Sequence, residues 1–298
     1  MMEQARRPPW MEQATLFERV GKVIVLFLIC VVVIYPFITV VATSLGSEPE
    51  IARNGGLILL WPLEPTLAAY RTIFAGGLIT RAVMVSIGVT VVGTIVSLVT
   101  TIAMAYALSR PILLGKTILL MALFTLLFTP GIIPNYLVVK QLGLLNNWAA
   151  LILPVMISAF NLVVMRQFFM GIPQELLDSA RIDGAGDFRI LLRIVLPLST
   201  AVIAVVALFY AVAYWNAFFN AMLYLNDTAM WPLQLVLRTY VLQNASLPGA
   251  TLSEETGAPP AEAIRMAVLV IALVPILLLY PFLQRYFTKG VLTGAVKG

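Results

Sequence analysis

Histidine is absent from the 298 residues, and cysteine occurs once, at Cys30. The first absence removes the commonest general base and zinc ligand, along with the one side chain that ordinarily titrates near neutrality. The second leaves no intramolecular disulfide and no CxxC metal or redox pair. Charge is scarce too: 11% of residues are Asp, Glu, Lys or Arg, against about 25% in an average soluble domain. No pair of carboxylates lies within an apolar stretch, so an intramembrane enzyme would lack its catalytic groups. An ion-coupled carrier would lack the embedded ionisable residues it needs, since the spans offer little beyond Arg166.

What the chain has in abundance is apolar surface, 61% of residues, with a mean hydropathy of +0.97. Six stretches reach the roughly 20 residues that cross a bilayer at 1.5 Å per residue: 23–44, 84–108, 117–136, 148–169, 200–224 and 266–287. They are continuously apolar rather than alternating, which excludes a membrane barrel. The expected fold is therefore all-α, a polytopic membrane bundle of six helices forming one transmembrane domain over 1–298. The first stretch is too long for a signal-peptide core and no A-x-A site follows it, so it is expected to remain as an anchor.

A cytoplasmic N-terminus places 13 of the 19 Lys and Arg residues inside, as the positive-inside rule requires for an even number of spans. The net charge of +5 is then topological, with lipid rather than nucleic acid as the surrounding partner. Residues 1–22 and 288–298 fall inside, and 47–81 and 225–265 are expected as external loops. The loop 171–197 is cytoplasmic.

That cytoplasmic loop concentrates charge between two spans. Pro173 suits the first position of a helix, Glu175 complements its positive end and Gly184 can take the left-handed conformation that stops it. A helix of about three turns follows, with Leu176 and Ala180 on one face and Glu175 and Asp178 on another. Its acids suit a protein partner better than an anionic lipid surface.

The spacing Asp178-Ser179-Ala180, Gly184, Ile194, Leu196-Pro197 resembles the EAA signature of binding-protein-dependent ABC importer permeases. Asp and Ser stand where that triplet has Glu and Ala. Met165-Arg166-Gln167-Phe168-Phe169, Asp183-Gly184-Ala185, Trp215-Asn216 and the ending Gly294-Ala295-Val296-Lys297-Gly298 are similar to the maltose-type carbohydrate permeases. Pro130-Gly131-Ile132-Ile133-Pro134-Asn135-Tyr136 and Trp231-Pro232-Leu233-Gln234 resemble the branch associated with complex oligosaccharides.

The resemblance implies a transport subunit that is not itself an enzyme, translocating a carbohydrate, with amino acids, peptides or another small solute as the alternative cargo. It implies a second permease subunit, a dimer of ATP-binding subunits and an extracytoplasmic sugar-binding protein. Glu175, Asp178, Ser179, Ala180 and Gly184 would dock into the ATPase. Ile194, Leu196 and Pro197 would seat that element beneath the fifth span, although Leu196-Pro197 also suits an ordinary helix junction. Lys297 and Gly298 would enter the ATPase interface or end as a free terminus.

No cofactor or metal site is expected, ATP being used by the partner subunits. Gly115-Lys116-Thr117 is a turn and not a phosphate loop, because Arg110 stands where that motif needs glycine. Asn161, Tyr214, Trp215, Asn216 and Asn220 are candidates for the sugar path, with Tyr210 and Tyr224 nearby. The same residue types also serve as interfacial belts and interhelical links. The family places most sugar contacts on the partner permease. The external loop 225–265 would reach toward the binding protein.

Overall fold

Thr15 opens the first helix through a reciprocal capping box. Its hydroxyl accepts the Glu18 N–H at 3.3 Å while the Glu18 carboxylate accepts the Thr15 N–H at 3.1 Å. The helix α1 (Leu16–Ser44) therefore begins at Leu16 rather than at 23. The computed structural model describes residues 15–58, 60–75, 77–242 and 261–295. The outer segment after α1 carries α2 (Glu48–Arg53) and α3 (Ala68–Phe74). It is held to the end of α1 by the Ser44–Tyr70 hydroxyl pair at 2.8 Å and by the Ile58 N–H donating to Thr43 Oγ1 at 2.9 Å.

The next helix, α4 (Leu78–Leu108), runs unbroken for 31 residues, about 46 Å. The continuous third span expected over 117–136 does not form. In its place α5 (Gly115–Leu127) and α6 (Ile132–Gln141) flank a break at 128–131. Pro130 supplies no N–H there, and Gly131 at φ +85 turns the chain. The fourth stretch is α7 (Ala149–Ile152), a 3-10 turn over Leu153–Val155 that contains Pro154, and α8 (Ala159–Met170), with a 53° bend across 156–158.

The cytoplasmic loop holds α9 (Gln174–Ile182), α10 (Asp187–Ile190), a π turn over Leu191–Val195 and α11 (Leu196–Leu198). Pro197 cannot bond to the Arg193 carbonyl, and the wider π turn accommodates that loss. The chain then turns by 84° into α12 (Thr200–Trp215). The fifth stretch ends there instead of at 224, with α13 (Phe219–Tyr224) after a break. Beyond lie α14 (Leu233–Leu242) and α15 (Ala261–Ala295), the latter starting ahead of the expected 266.

No strand occurs among the described residues, so the fold is all-α as expected. Three helices, α1, α4 and α15, are long and apolar enough to cross a membrane, and five segments qualify if each bent pair counts once. The 13 residues of α5 reach about 20 Å, short of a hydrocarbon core of about 30 Å.

Two apolar clusters organise the bundle. One gathers Val85, Leu162, Met165, Ile190 and Val206 from α4, α8, α10 and α12. The other joins Ala42, Ala69, Ala82, Leu233 and Ala267 from α1, α3, α4, α14 and α15. The two ends of α4 carry different neighbours. Near its start Ser86 Oγ accepts the Leu233 N–H at 2.7 Å, and near its end the Tyr106 hydroxyl donates to the Asp187 carbonyl at 3.0 Å. The 225–242 segment and the 171–197 loop thus lie at opposite ends of one helix, as the charge distribution requires. The first of these is no plain loop: Leu233, Leu235 and Val236 of α14 are buried in the bundle. Residues 243–260 of the loop 225–265, the loop expected to reach toward a binding protein, lie outside the described residues, as do Lys297 and Gly298.

Candidate functional site

At the cytoplasmic end, α9 is nine residues long and stops where Gly184 adopts φ +76. That conformation costs an L-residue about 1–2 kcal/mol. Pro173 is the residue before the helix rather than its first one. Leu177, 4% exposed, anchors α9 to the bundle with Ala180 packed beside it, and Leu176 faces outward. The anchor is therefore one position later than the 176/180 face, because the bundle meets α9 along the 177–180 diagonal.

Glu175 and Ser179 are exposed, the Ser179 hydroxyl donating back to the Glu175 carbonyl at 2.7 Å. Asp178 is exposed and pairs with Arg181 at 3.0 Å, an interaction worth little in water. Ile182 and Phe188, 87% and 73% exposed, flank Gly184. Two large apolar side chains thus stand exposed on either side of a left-handed turn, a feature that the spacing of the signature gave no reason to single out. Beneath it, Ile190 and Val195 are fully buried, Ile194 and Leu196 half-buried and Pro197 exposed.

Inside the bundle, the break between α7 and α8 leaves backbone groups that lipid cannot satisfy. Two tyrosines one turn apart on α12 serve them. The Tyr210 hydroxyl accepts the Ser158 N–H at 3.0 Å, and the Tyr214 hydroxyl approaches the Ile152 carbonyl at 3.5 Å. Each is fixed in turn by α4: Thr101 Oγ1 lies 2.7 Å from the Tyr210 hydroxyl, and Ser97 Oγ 2.7 Å from that of Tyr214. Gly93 lies beneath the Tyr214 ring, where a Cβ would meet ring carbons at 2.9 Å. Gly93, Ser97, Thr101 and Ala105 recur every fourth residue and share one face, a pattern that lets helices approach closely.

These tyrosines form one wall of a cavity of about 460 Å³ lined by Ser158, Asn161, Tyr210, Tyr214, Ala217 and Asn220, among others. That size falls within the roughly 300–1,000 Å³ of small-ligand sites. Of the five residues read from the sequence as candidates for the path, the structure brings Asn161, Tyr214 and Asn220 together here.

It places Trp215 and Asn216 elsewhere. The Trp215 indole donates to the Ala272 carbonyl of α15 at 3.1 Å and belongs to the second cluster. Asn216 turns back on its own helix, donating to the Val212 carbonyl at 2.9 Å, and faces α1 and α15. Successive residues of a helix differ by 100°, so adjacency in sequence set them on other faces. Tyr224 lies at the outer end, where its carbonyl accepts the Asn146 N–H at 2.7 Å. The hydroxyls of Ser97 and Thr101 were not singled out from the sequence, although their spacing to Gly93 could have revealed them.

Residues 93–293 match the family described as binding-protein-dependent transport system inner membrane component. The polygalacturonan/rhamnogalacturonan transport system permease protein YtcP of Bacillus subtilis (strain 168) is 46% identical over 280 residues, 93% of this chain and 96% of that protein. Protein LplC of the same organism is 47% identical over 270 residues, 90% of each chain. Among solved structures, a chain from a bacterial ABC transporter involved in the import of the acidic polysaccharide alginate superposes with a TM-score of 0.86. It is 28% identical, and the match covers 93% of this chain and all of that one.

Proposed function

The chain belongs to the family of binding-protein-dependent transport system inner membrane components, and from that premise we propose that it passes an oligosaccharide inward as one half of an ATP-driven importer. It is a transport subunit of the bacterial inner membrane, with ATP hydrolysis assigned to separate subunits. One relative named for polygalacturonan and rhamnogalacturonan, and a structural neighbour named for alginate, favour a sugar chain bearing uronic acids as cargo.

The observation that carries the reading is the cytoplasmic loop. A short polar helix is anchored by Leu177, stopped by Gly184 at positive φ, and presents Ile182 and Phe188 to the aqueous side. Glu175, Asp178, Ser179, Ala180 and Gly184 form the element that docks into the ATPase. Ile194, Leu196 and Pro197 join it to α12. Asn161, Tyr214 and Asn220, with Tyr210, offer the path hydroxyl, amide and ring faces of the kind that bind sugars. Trp215 and Asn216 support the outer side of the bundle instead.

Gly184→Arg tests the docking role. Membrane insertion and pairing with the second permease subunit are expected to survive, while ATP hydrolysis stimulated by loaded binding protein disappears. Stimulation at the parent level would refute the proposal. Uptake of labelled oligogalacturonide, competed by excess unlabelled oligogalacturonide and not by amino acids, tests the cargo.

A further inference from the structure

We infer that Tyr106, Arg110 and Asp187 form a latch that makes α4 the output arm of the cytoplasmic loop, carrying its movement to the tyrosines of the cavity wall. The inference rests on the docking role proposed above. The Tyr106 hydroxyl donates to the Asp187 carbonyl at 3.0 Å and accepts from Arg110 Nη2 at 2.7 Å. The Arg110 guanidinium also lies over the Tyr106 ring, 4.7 Å from its centroid, and its Nη1 faces Asp187 Oδ1 at 3.9 Å. That last distance is Coulombic contact and not a hydrogen bond. The guanidinium is mostly enclosed, its side chain 15% exposed against 75% for Asp187, so the arginine belongs to the bundle and the aspartate to the loop.

Asp187 opens the segment that follows the docking helix after the turn at Gly184, so a displacement of that helix reaches Asp187 within a few residues. On the α4 side, Tyr106 lies five residues beyond Thr101 and nine beyond Ser97, on about 8 to 14 Å of regular helix. Those two hydroxyls hold Tyr210 and Tyr214. The other wall is tied to the same point, because Arg166 Nε of α8 donates to the Leu108 carbonyl at 2.8 Å. A regular helix transmits an axial or rotational displacement with little loss, whereas the 84° turn and the π turn into α12 make the covalent route the softer one. The latch is thus the stiff connection between docking helix and cavity.

The test uses the complete importer in proteoliposomes, in a Cys30→Ser background, with an Ala217→Cys reporter in the cavity wall labelled by a membrane-impermeant maleimide. MgATP with vanadate is expected to change the labelling rate of the parent complex. Tyr106→Phe and Arg110→Gln are expected to shrink that ATP-driven change by about fivefold or more. Cross-linking of an Ile182→Cys variant to the ATPase should proceed as before in both backgrounds. A full labelling response in Tyr106→Phe overturns the latch, and so does failure of both variants to assemble, because the contact would then serve folding alone. A parent complex with neither cross-link nor ATP response would instead overturn the docking role itself, and the latch with it.

Discussion

α1 and α4 are nearly equal in length, 29 and 31 residues, and both are apolar over most of that length, yet α4 buries residues from end to end and α1 only at its end. The buried residues of α1 are Ala42, Thr43 and Ser44, all at its end, whereas α4 buries ten from Ile79 to Leu108. Along the middle of α1, from Val23 to Ile34, the side chains are almost all Val, Ile, Leu and Phe, on every face. Along α4 a stripe of Gly93, Ser97, Thr101 and Ala105 admits α12. In lipid, apolarity selects the bilayer but cannot select a neighbour, since tails are as apolar as leucine. Close approach and interhelical hydrogen bonds make that choice, and α4 has both where α1 has neither over most of its length.

The harshest way to break the contrast is Gly93→Leu. The added side chain must displace the Tyr214 ring, since a Cβ alone would meet it at 2.9 Å. A loss of about 3 kcal/mol is expected, at the upper end for overpacking, read as earlier unfolding in SDS titration and as abolished uptake. Unaltered uptake would show that α4 and α12 do not meet along this stripe.

Removing hydrogen bonds while keeping shape is gentler. Tyr210→Phe gives up the Thr101 and Ser158 contacts and is expected to cost about 1 kcal/mol. Combining it with Thr101→Val in a double-mutant cycle should show that the two losses overlap; full additivity would mean the pair at 2.7 Å carries no coupling. The smallest effect is predicted for α1: Val32→Ala, at a position 72% exposed, should leave the isolated chain within about 0.5 kcal/mol of the parent. A larger loss would give the exposed middle of α1 a partner inside the chain itself.

Apolar run length made the all-α bundle legible, and the residues from Pro173 to Gly184 made the short helix of the loop legible, down to the positive φ at Gly184. Run length failed wherever a span is broken. Pro130-Gly131 and Pro154 interrupt hydropathy windows that average across them, so 117–136 and 148–169 read as continuous. The second of these breaks shapes the cavity, because Tyr210 and Tyr214 turn inward to satisfy the backbone at Ile152 and Ser158. Facing was the other gap. Tyr214, Trp215 and Asn216 are consecutive, but 100° per residue sends the first to the cavity and the next two toward α1 and α15. The Tyr106–Asp187 contact joins residues 81 apart, and nothing local to either residue announces it.

The short packed end of α1 leans on α15, through a shared cluster that includes Ala42 and Ala267, so a helix made early is completed by one made late. About two hundred residues separate them, which at translation rates of about 5–20 residues per second is on the order of ten to forty seconds. During that interval α1 holds its place in the bilayer with little beyond the α2–α3 segment tied to its end. A helix greasy on all sides is suited to that wait, and its lack of any sticky stripe keeps it from capturing α4 or α12 before its proper neighbour arrives.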